Sequence, residues 1–462
     1  MSQFGTIDRE LFRKYSGPGP RYTSYPTAPV FSTAFGPDQY TEEIRRTNSG
    51  TGAAPLSLYT HLPFCDTLCY FCGCTMLVTH SRSQISEYNR YLMREIEAIG
   101  RLVARDRMVA QMHWGGGSPS YLTPEEIRQV GDAFRRQFAY ADDIEAGVEI
   151  DPRGLTFEHL QAFREAGFNR VSLGVQDFDE TVQVAVNRVQ SERITTDAVG
   201  WSRKLGFKSL NVDLIYGLPH QTIEGFQETV RKVLLLDPDR LAVFHYAHVP
   251  WLKPHQKLIT EDVLPTVEQK IDMFIATTEL LTGAGYWNIG MDHFAKADDE
   301  LAVAQRNGTL HRNFQGYSTK AGCDLYGFGM SAIGQFTDTY QQNAKKLAEY
   351  YAAIEAGRPA TIAGYRMLPD DHIRKDVIMR LMCHMKLDKS EVERRHGIVF
   401  DDYFATSLER LRGFAADGLV DIDEDRITVN GIGRLVIRNI AMAFDAYIDR
   451  MVQDRPVFSK TL

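Results

Sequence analysis

The chain has 462 residues, 44% of them apolar, including 25 Phe and 21 Tyr, which suits a large buried core and not a disordered polymer. Lys plus Arg number 52 and Asp plus Glu 60, a net charge of −8, which argues against nonspecific nucleic-acid binding through a cationic surface. No apolar run reaches 18 residues and residues 1–17 lack a signal-peptide core, so a cytoplasmic protein without a membrane span is expected.

Taken in chain order, β-rich apolar runs alternate with helical patterns. SLYTHLP (57–63) reads as a strand and residues 85–104 as a helix. QMHW (111–114) is a second strand that runs into three glycines. Thr123-Pro124-Glu125-Glu126 then opens a helix, with a Thr cap, Pro at the first position and Glu three residues after the cap. Further strands are expected at 145–150, 170–176, 209–219 and 241–250, each followed by a helical pattern, the last at 266–284. Six β-then-α units imply α/β architecture with a parallel sheet, either open and doubly wound or closed as a full or partial barrel. In both cases sites form at the carboxyl ends of the strands.

From Asp371 the pattern changes to two helices, the first over 372–387, a hairpin around the acidic turn at 422–426, and a helix over 433–451. This mostly helical, winged-helix-like segment is not strongly basic and reads as a packing or lid domain.

Four of the six cysteines, Cys65, Cys69, Cys72 and Cys74, lie within ten residues directly after the first strand. In a reducing compartment such clustered thiols mean metal or redox chemistry. A structural zinc site is the plain alternative, but zinc sites usually pair two knuckles, and Cys323 and Cys383 stand alone and read as small buried residues. An iron–sulfur cluster suits one short loop better. Three thiolates would hold three irons and leave a fourth open to a ligand.

The spacing C-x₃-C-x-Phe-C is that of the radical S-adenosylmethionine (SAM) superfamily. The resemblance continues through GPRYTSYPTA, SLYTHLPFC, CYFCGC, HWGGGSPSYL, EIDPR, GVQDF, NVDLIYGLP, FHYAHVP, GMDHFA, LHRNFQGY and RLVIRNIAM, in that order along the chain. Over nearly its full length the sequence resembles the oxygen-independent coproporphyrinogen III oxidase (dehydrogenase) family. The resemblance implies a partial (βα)6 radical SAM barrel. Residues 1–50 would form an N-terminal segment covering the active site, 51–365 the barrel and 366–462 a helical C-terminal domain. The implied reaction turns two propionates of coproporphyrinogen III into vinyl groups, giving protoporphyrinogen IX in heme biosynthesis.

The cofactors it implies are a [4Fe–4S] cluster on Cys65, Cys69 and Cys72 and two SAM molecules per turnover. Tyr59, Phe71, Gly116, Glu149 and Ile333 would contact SAM, with Tyr59 and Glu149 counted with the three cysteines as catalytic. Gly117, Ser118, Gln176, Arg188, Asp213 and Ala247 would contact a second SAM-sized ligand. Ser118 stands where Thr is common and keeps the hydroxyl. On residue type alone, Tyr59 and Ile333 read as core, and Arg188 with Asp213 as an ion pair. Arg21, His293 and Arg312 are candidates for the substrate's propionates. Flavodoxin or ferredoxin is the expected electron donor and a monomer the expected state. A heme chaperone on the same scaffold is the alternative, but it lacks the N-terminal segment and typically has no Cys at the position of Cys74.

Overall fold

The computed structural model describes residues 9–49 and 53–451. By contact the chain forms two units, neither continuous in sequence. One comprises residues 29–213 and 322–366; the other comprises the N-terminal stretch to Ala28, residues 214–321 and the chain from Met367. The expected stretch 51–365 is thus shared between them.

All six β-then-α units are present. β1 (Leu56–Leu62) leads to α1 (Arg82–Gly100), β2 (Met108–Gly116) to α2 (Pro124–Gln137), and β3 (Ala139–Ile150) to α3 (Phe157–Glu165). β4 (Arg170–Gln176) leads to α4 (Glu192–Lys204), β5 (Ser209–Tyr216) to α5 (Ile223–Leu235), and β6 (Arg240–His245) to α6 (Val267–Gly283). The cap expected at Thr123 forms: its hydroxyl accepts the Glu126 N–H, and the Glu126 carboxylate accepts the Thr123 N–H. Thr266 caps α6 in the same manner, and the Ser81 hydroxyl accepts the Gln84 N–H at the start of α1.

In the first unit, β1 pairs in parallel with β2, β2 with β3, and β3 with β4. On its other side β1 pairs in parallel with Asp324–Phe328, beyond which Ile333–Gln335, Thr339–Asn343 and Thr361–Arg366 continue antiparallel. Among these four strands one helix, Leu347–Glu355, intervenes, and it joins antiparallel neighbours, so the repeating β–α signal that marks β1–β6 is absent there. Behind the sheet, Trp114 packs edge-on against Phe163 and Phe168, joining β2 to α3.

In the second unit, β6 runs antiparallel to His293–Lys296, which pairs with Tyr286–Gly290. Its core gathers Ile378, Leu381, Met382, Phe400, Phe444, Ile437 and Ile440 from the C-terminal helices. Lys386–Asp388, Arg426–Val429 and Val420–Ile422 form a small antiparallel sheet, as a winged helix requires.

Two expectations need correction. The helix from 372 stops at His384, because Met385 turns left-handed (φ 59°) and Lys386–Asp388 is a strand. The final helix is broken into a 3-10 turn (Gly431–Val436) and short helices Ile437–Met442 and Ile448–Met451. Between the last two, the Asp445 carboxylate accepts the Tyr447 N–H and the Tyr22 hydroxyl, a local turn that competes with helix continuation.

Candidate active site

The cysteine loop leaves the carboxyl end of β1. Phe64–Cys65 forms a two-residue parallel bridge with Leu77–Val78, which closes the loop on itself. The Cys72 N–H donates to the Cys69 carbonyl (3.1 Å), and the Tyr70 N–H to the Val186 carbonyl (3.0 Å). Cys69 is buried, Cys65, Cys72 and Phe71 are half-buried, and Cys74 is exposed. None of the six cysteines is in a disulfide. Cys383 is buried as expected, whereas Cys323 is only half-buried.

Cys69 is gripped by cations. Arg153 Nη2 donates to its sulfur at 3.4 Å, and Arg188 Nη1 stands at 3.6 Å. Asp151 holds both guanidiniums, at 2.7 Å to Arg153 and 2.9 Å to Arg188. Burial raises the Asp151 pKa, but these two arginines outweigh it and keep the carboxylate ionised below its usual range. Burial pushes the Cys65 thiol up to about 12, and the nearby Cys72 and Cys69 add to that. Ionising the Cys65 thiol here therefore needs a cationic body beside it.

Glu149 projects from the end of β3 beside the glycine run. Its Oε2 accepts the Gly116 N–H (3.1 Å), and its Oε1 meets His113 Nε2 (3.3 Å). Burial raises its pKa, but His113 and the Gly116 N–H prevail and hold it below the ordinary carboxylate range. Nevertheless 47% of the side chain remains open. It is a charged acceptor with an open side chain.

The glycines make room for this arrangement. A Cβ on Gly115 would lie 2.6 Å from the Glu149 carboxylate, and one on Gly117 2.5 Å from the Pro63 carbonyl carbon. Gly116 has φ +110°, and a Cβ there would meet the His61 ring at 2.4 Å. His61 Nε2 faces the Thr75 carbonyl (2.8 Å) and must donate to it. Burial lowers the His61 pKa, so the neutral ring accepts the Tyr59 hydroxyl at Nδ1 (3.1 Å). Tyr59 also stacks on His113, with centroids 6.1 Å apart. It is half-buried and lies among polar site groups, so the reading as plain core fails.

Asp213 lies in β5. Its carboxylate accepts from Ser172 Oγ (3.0 Å) and Asn211 Nδ2 (2.7 Å). Burial, then the Glu149 charge, pushes its pKa up to about 7. It does not pair with Arg188, whose partners are Asp151 and the Gly174 carbonyl (2.7 Å). Gln176 adopts φ +68° at the end of β4, and its Oε1 is buried without a partner. The Ser118 N–H donates to the Phe64 carbonyl (2.8 Å), and its hydroxyl pairs with Ser120 (3.1 Å). Ile333 is half-buried on the strand Ile333–Gln335. Ala247 belongs to the other unit, where its carbonyl accepts from Gln256 (3.2 Å).

Among the described residues no three His, Cys, Asp or Glu side chains close on one point as a single ion requires. The donor set suits a cluster: soft thiolates on one loop, with guanidiniums aimed at a sulfur.

Comparison with known proteins decides the family. The profile of the Radical SAM superfamily matches residues 59–233, and that of the HemN C-terminal domain matches 367–436. The oxygen-independent coproporphyrinogen III oxidase of Salmonella typhimurium is 48% identical over 96% of this chain and 95% of its own. The protein of that name from Pseudomonas aeruginosa is 45% identical over 98% of both. The chain belongs to the oxygen-independent coproporphyrinogen III oxidase family. Within it, the solved coproporphyrinogen III oxidase of Escherichia coli, a radical SAM enzyme, superposes with a TM-score of 0.91 at 45% identity. That match covers 96% of this chain and all of the other. The fold expected from the resemblance, a radical SAM α/β domain with a helical C-terminal domain, is the one found.

The family's motifs also contain groups that residue-level reading passed over. Asp151 and Arg153 lie in EIDPR, His61 stands two residues after the assigned Tyr59, and His113 lies opposite Tyr59 on the neighbouring strand. Alternation along a strand brings such neighbours to one face.

Proposed function

We infer that the chain performs its family's reaction, the oxygen-independent oxidative decarboxylation of two propionates of coproporphyrinogen III to vinyl groups. When bound, a [4Fe–4S] cluster supplies the electron that splits SAM into methionine and the hydrogen-abstracting 5′-deoxyadenosyl radical. Per propionate, one hydrogen atom leaves the β-carbon, one CO₂ departs, and one electron passes to an external acceptor.

Cys65, Cys69 and Cys72 would ligate three irons. The open Glu149 carboxylate would accept hydrogen bonds from the amino or ribose hydroxyl groups of SAM, with the backbone at Gly116 close by. Tyr59, Phe71 and Ile333 would give SAM its apolar and aromatic walls. Asp213, Gln176, Gly117, Ser118 and Arg188 would face a second SAM-sized ligand. The buried, partnerless Gln176 Oε1 supports a ligand on that side. Flavodoxin or ferredoxin as donor, a monomeric state and a cytoplasmic location belong to the same reading. No described helix is long and apolar enough to cross a membrane.

The observation that carries this reading is the three-thiol loop set beside the open, ionised Glu149 at the carboxyl ends of parallel strands. The test is anaerobic turnover of cluster-reconstituted protein with reductant, SAM and coproporphyrinogen III, followed by mass spectrometry. Loss of two CO₂ with matching 5′-deoxyadenosine is expected, and Cys65→Ala abolishes both. SAM cleavage with an unchanged tetrapyrrole overturns the substrate assignment.

A further inference from the structure

The second unit contains a cationic cluster that the cluster and SAM sites do not use. Arg312, on the strand His311–Asn313, is 3% exposed. Its Nε donates to the Arg21 carbonyl (3.3 Å), and its guanidinium lies 4.5 Å over the Tyr317 ring. Its Nη1 is buried with no hydrogen-bond partner. The acidic neighbour in its field is Asp292, and that carboxylate is already engaged by Arg21 and by His293 Nδ1 (2.8 Å). Arg438, 6% exposed, adds a third guanidinium, bound to the carbonyls of Gly19 and Pro20. Among the described residues, Arg21 and Arg312 thus share the Asp292 carboxylate. Sequestering cations without counter-charge is costly, and a protein gains from it when an anionic ligand completes the set.

The anchoring of Arg21 points the same way. Arg438 and Arg312 hold the backbone on either side of it, and Tyr22 and Tyr25 are tied to Asp445 and the Ala446 N–H (2.9 and 3.0 Å). Yet the Arg21 side chain keeps 35% of its surface and His293 keeps 23%. Half-buried Phe244 lies 5.3 Å beneath the Arg21 guanidinium. A fixed guanidinium, excess positive charge behind it and an aromatic face beside it suit a carboxylate on a short hydrocarbon arm.

We propose that Arg21, backed by Arg312 and rimmed by His293 and Phe244, binds one propionate of the tetrapyrrole substrate; this rests on the reaction inferred above. Arg21 supplies the paired hydrogen bonds. Arg312 supplies charge.

The test is anaerobic equilibrium binding of coproporphyrinogen III to the cluster-loaded protein. Wild type is compared with Arg21→Gln, Arg21→Lys and Arg312→Gln at two salt concentrations. Arg21→Gln is expected to raise Kd about tenfold or more, with Arg21→Lys between it and wild type. Both Gln variants should show a weaker salt dependence than wild type. Iron content and melting temperature establish that each variant is folded, and the partly exposed Arg21 keeps the test valid if Arg312→Gln does not fold. Wild-type binding that Arg21→Gln leaves unchanged overturns this site alone. No binding by wild type overturns the substrate reading and the site with it.

Discussion

Arg153 Nη2 donates to the Cys69 sulfur across 3.4 Å, while Asp151 fixes the same guanidinium from behind at 2.7 Å. The donor is thereby held on the sulfur and does not swing to solvent. Hydrogen bonds and positive charge at a ligating sulfur favour the reduced cluster and raise its potential. Arg153→Gln should therefore give a more negative midpoint in an EPR-monitored redox titration, and a smaller reduced fraction at a fixed dithionite concentration. An unchanged midpoint in fully loaded protein would show that the contact is structural only.

Glu149 combines a depressed pKa with an open side chain, so it is an ionised acceptor ready for a ligand. Charge-assisted hydrogen bonds contribute roughly 1.5–3 kcal/mol. Glu149→Gln should weaken SAM binding about tenfold to a hundredfold by isothermal titration of the anaerobic holoprotein. Iron content should stay at the wild-type level, because no cysteine ligand is touched. Equal SAM affinity in the two proteins would remove Glu149 from the site.

Much of this was legible from sequence, for identifiable reasons. The six β–α units follow from alternating hydrophobic periods, and the cap at Thr123 from the four-residue stretch Thr123-Pro124-Glu125-Glu126. The antiparallel strands after Asp324 were not, because they are short and only one helix, Leu347–Glu355, intervenes among them, joining antiparallel neighbours in place of a parallel β–α repeat. In the site, Cys65, Cys69 and Cys72 announce themselves by spacing. The Arg188–Asp151 pair does not, since its members lie 37 positions apart and only the fold brings β3 and the loop after β4 together. The split between Arg188 and Asp213 was likewise invisible, because two opposite charges in a sequence carry no sign of which carboxylate the guanidinium takes.

Cys74 stands two residues beyond Cys72 and is exposed. If three thiols hold the cluster, Cys74→Ser keeps the iron and the broad brown absorption, whereas Cys72→Ser loses both. Iron analysis and the visible spectrum of anaerobically reconstituted protein separate the two. Equal iron loss in both variants would make Cys74 a ligand and displace the three-thiol assignment.

Glu95, on α1, is 3% exposed and accepts from the Gly329 N–H (2.7 Å), Asn343 Nδ2 (2.8 Å) and the Tyr350 hydroxyl (2.8 Å). Burial outweighs these donors and pushes its pKa up from 4.5 to about 7. A carboxyl that binds its proton more tightly when folded stabilises the fold below the unfolded pKa and loses that contribution as pH rises toward 7. The full effect is roughly 3 kcal/mol. Asp213, also raised to about 7, acts in the same direction. Burial lowers the His311 pKa to about 4, which acts in the opposite direction, so the Glu95 share is read as the difference between the pH profiles of melting temperature for wild type and Glu95→Gln from pH 5 to pH 8. Relative to Glu95→Gln, which carries no charge at either pH, wild type should lose melting temperature as pH rises from 5 to 8. Parallel pH profiles for the two proteins would place the titration elsewhere.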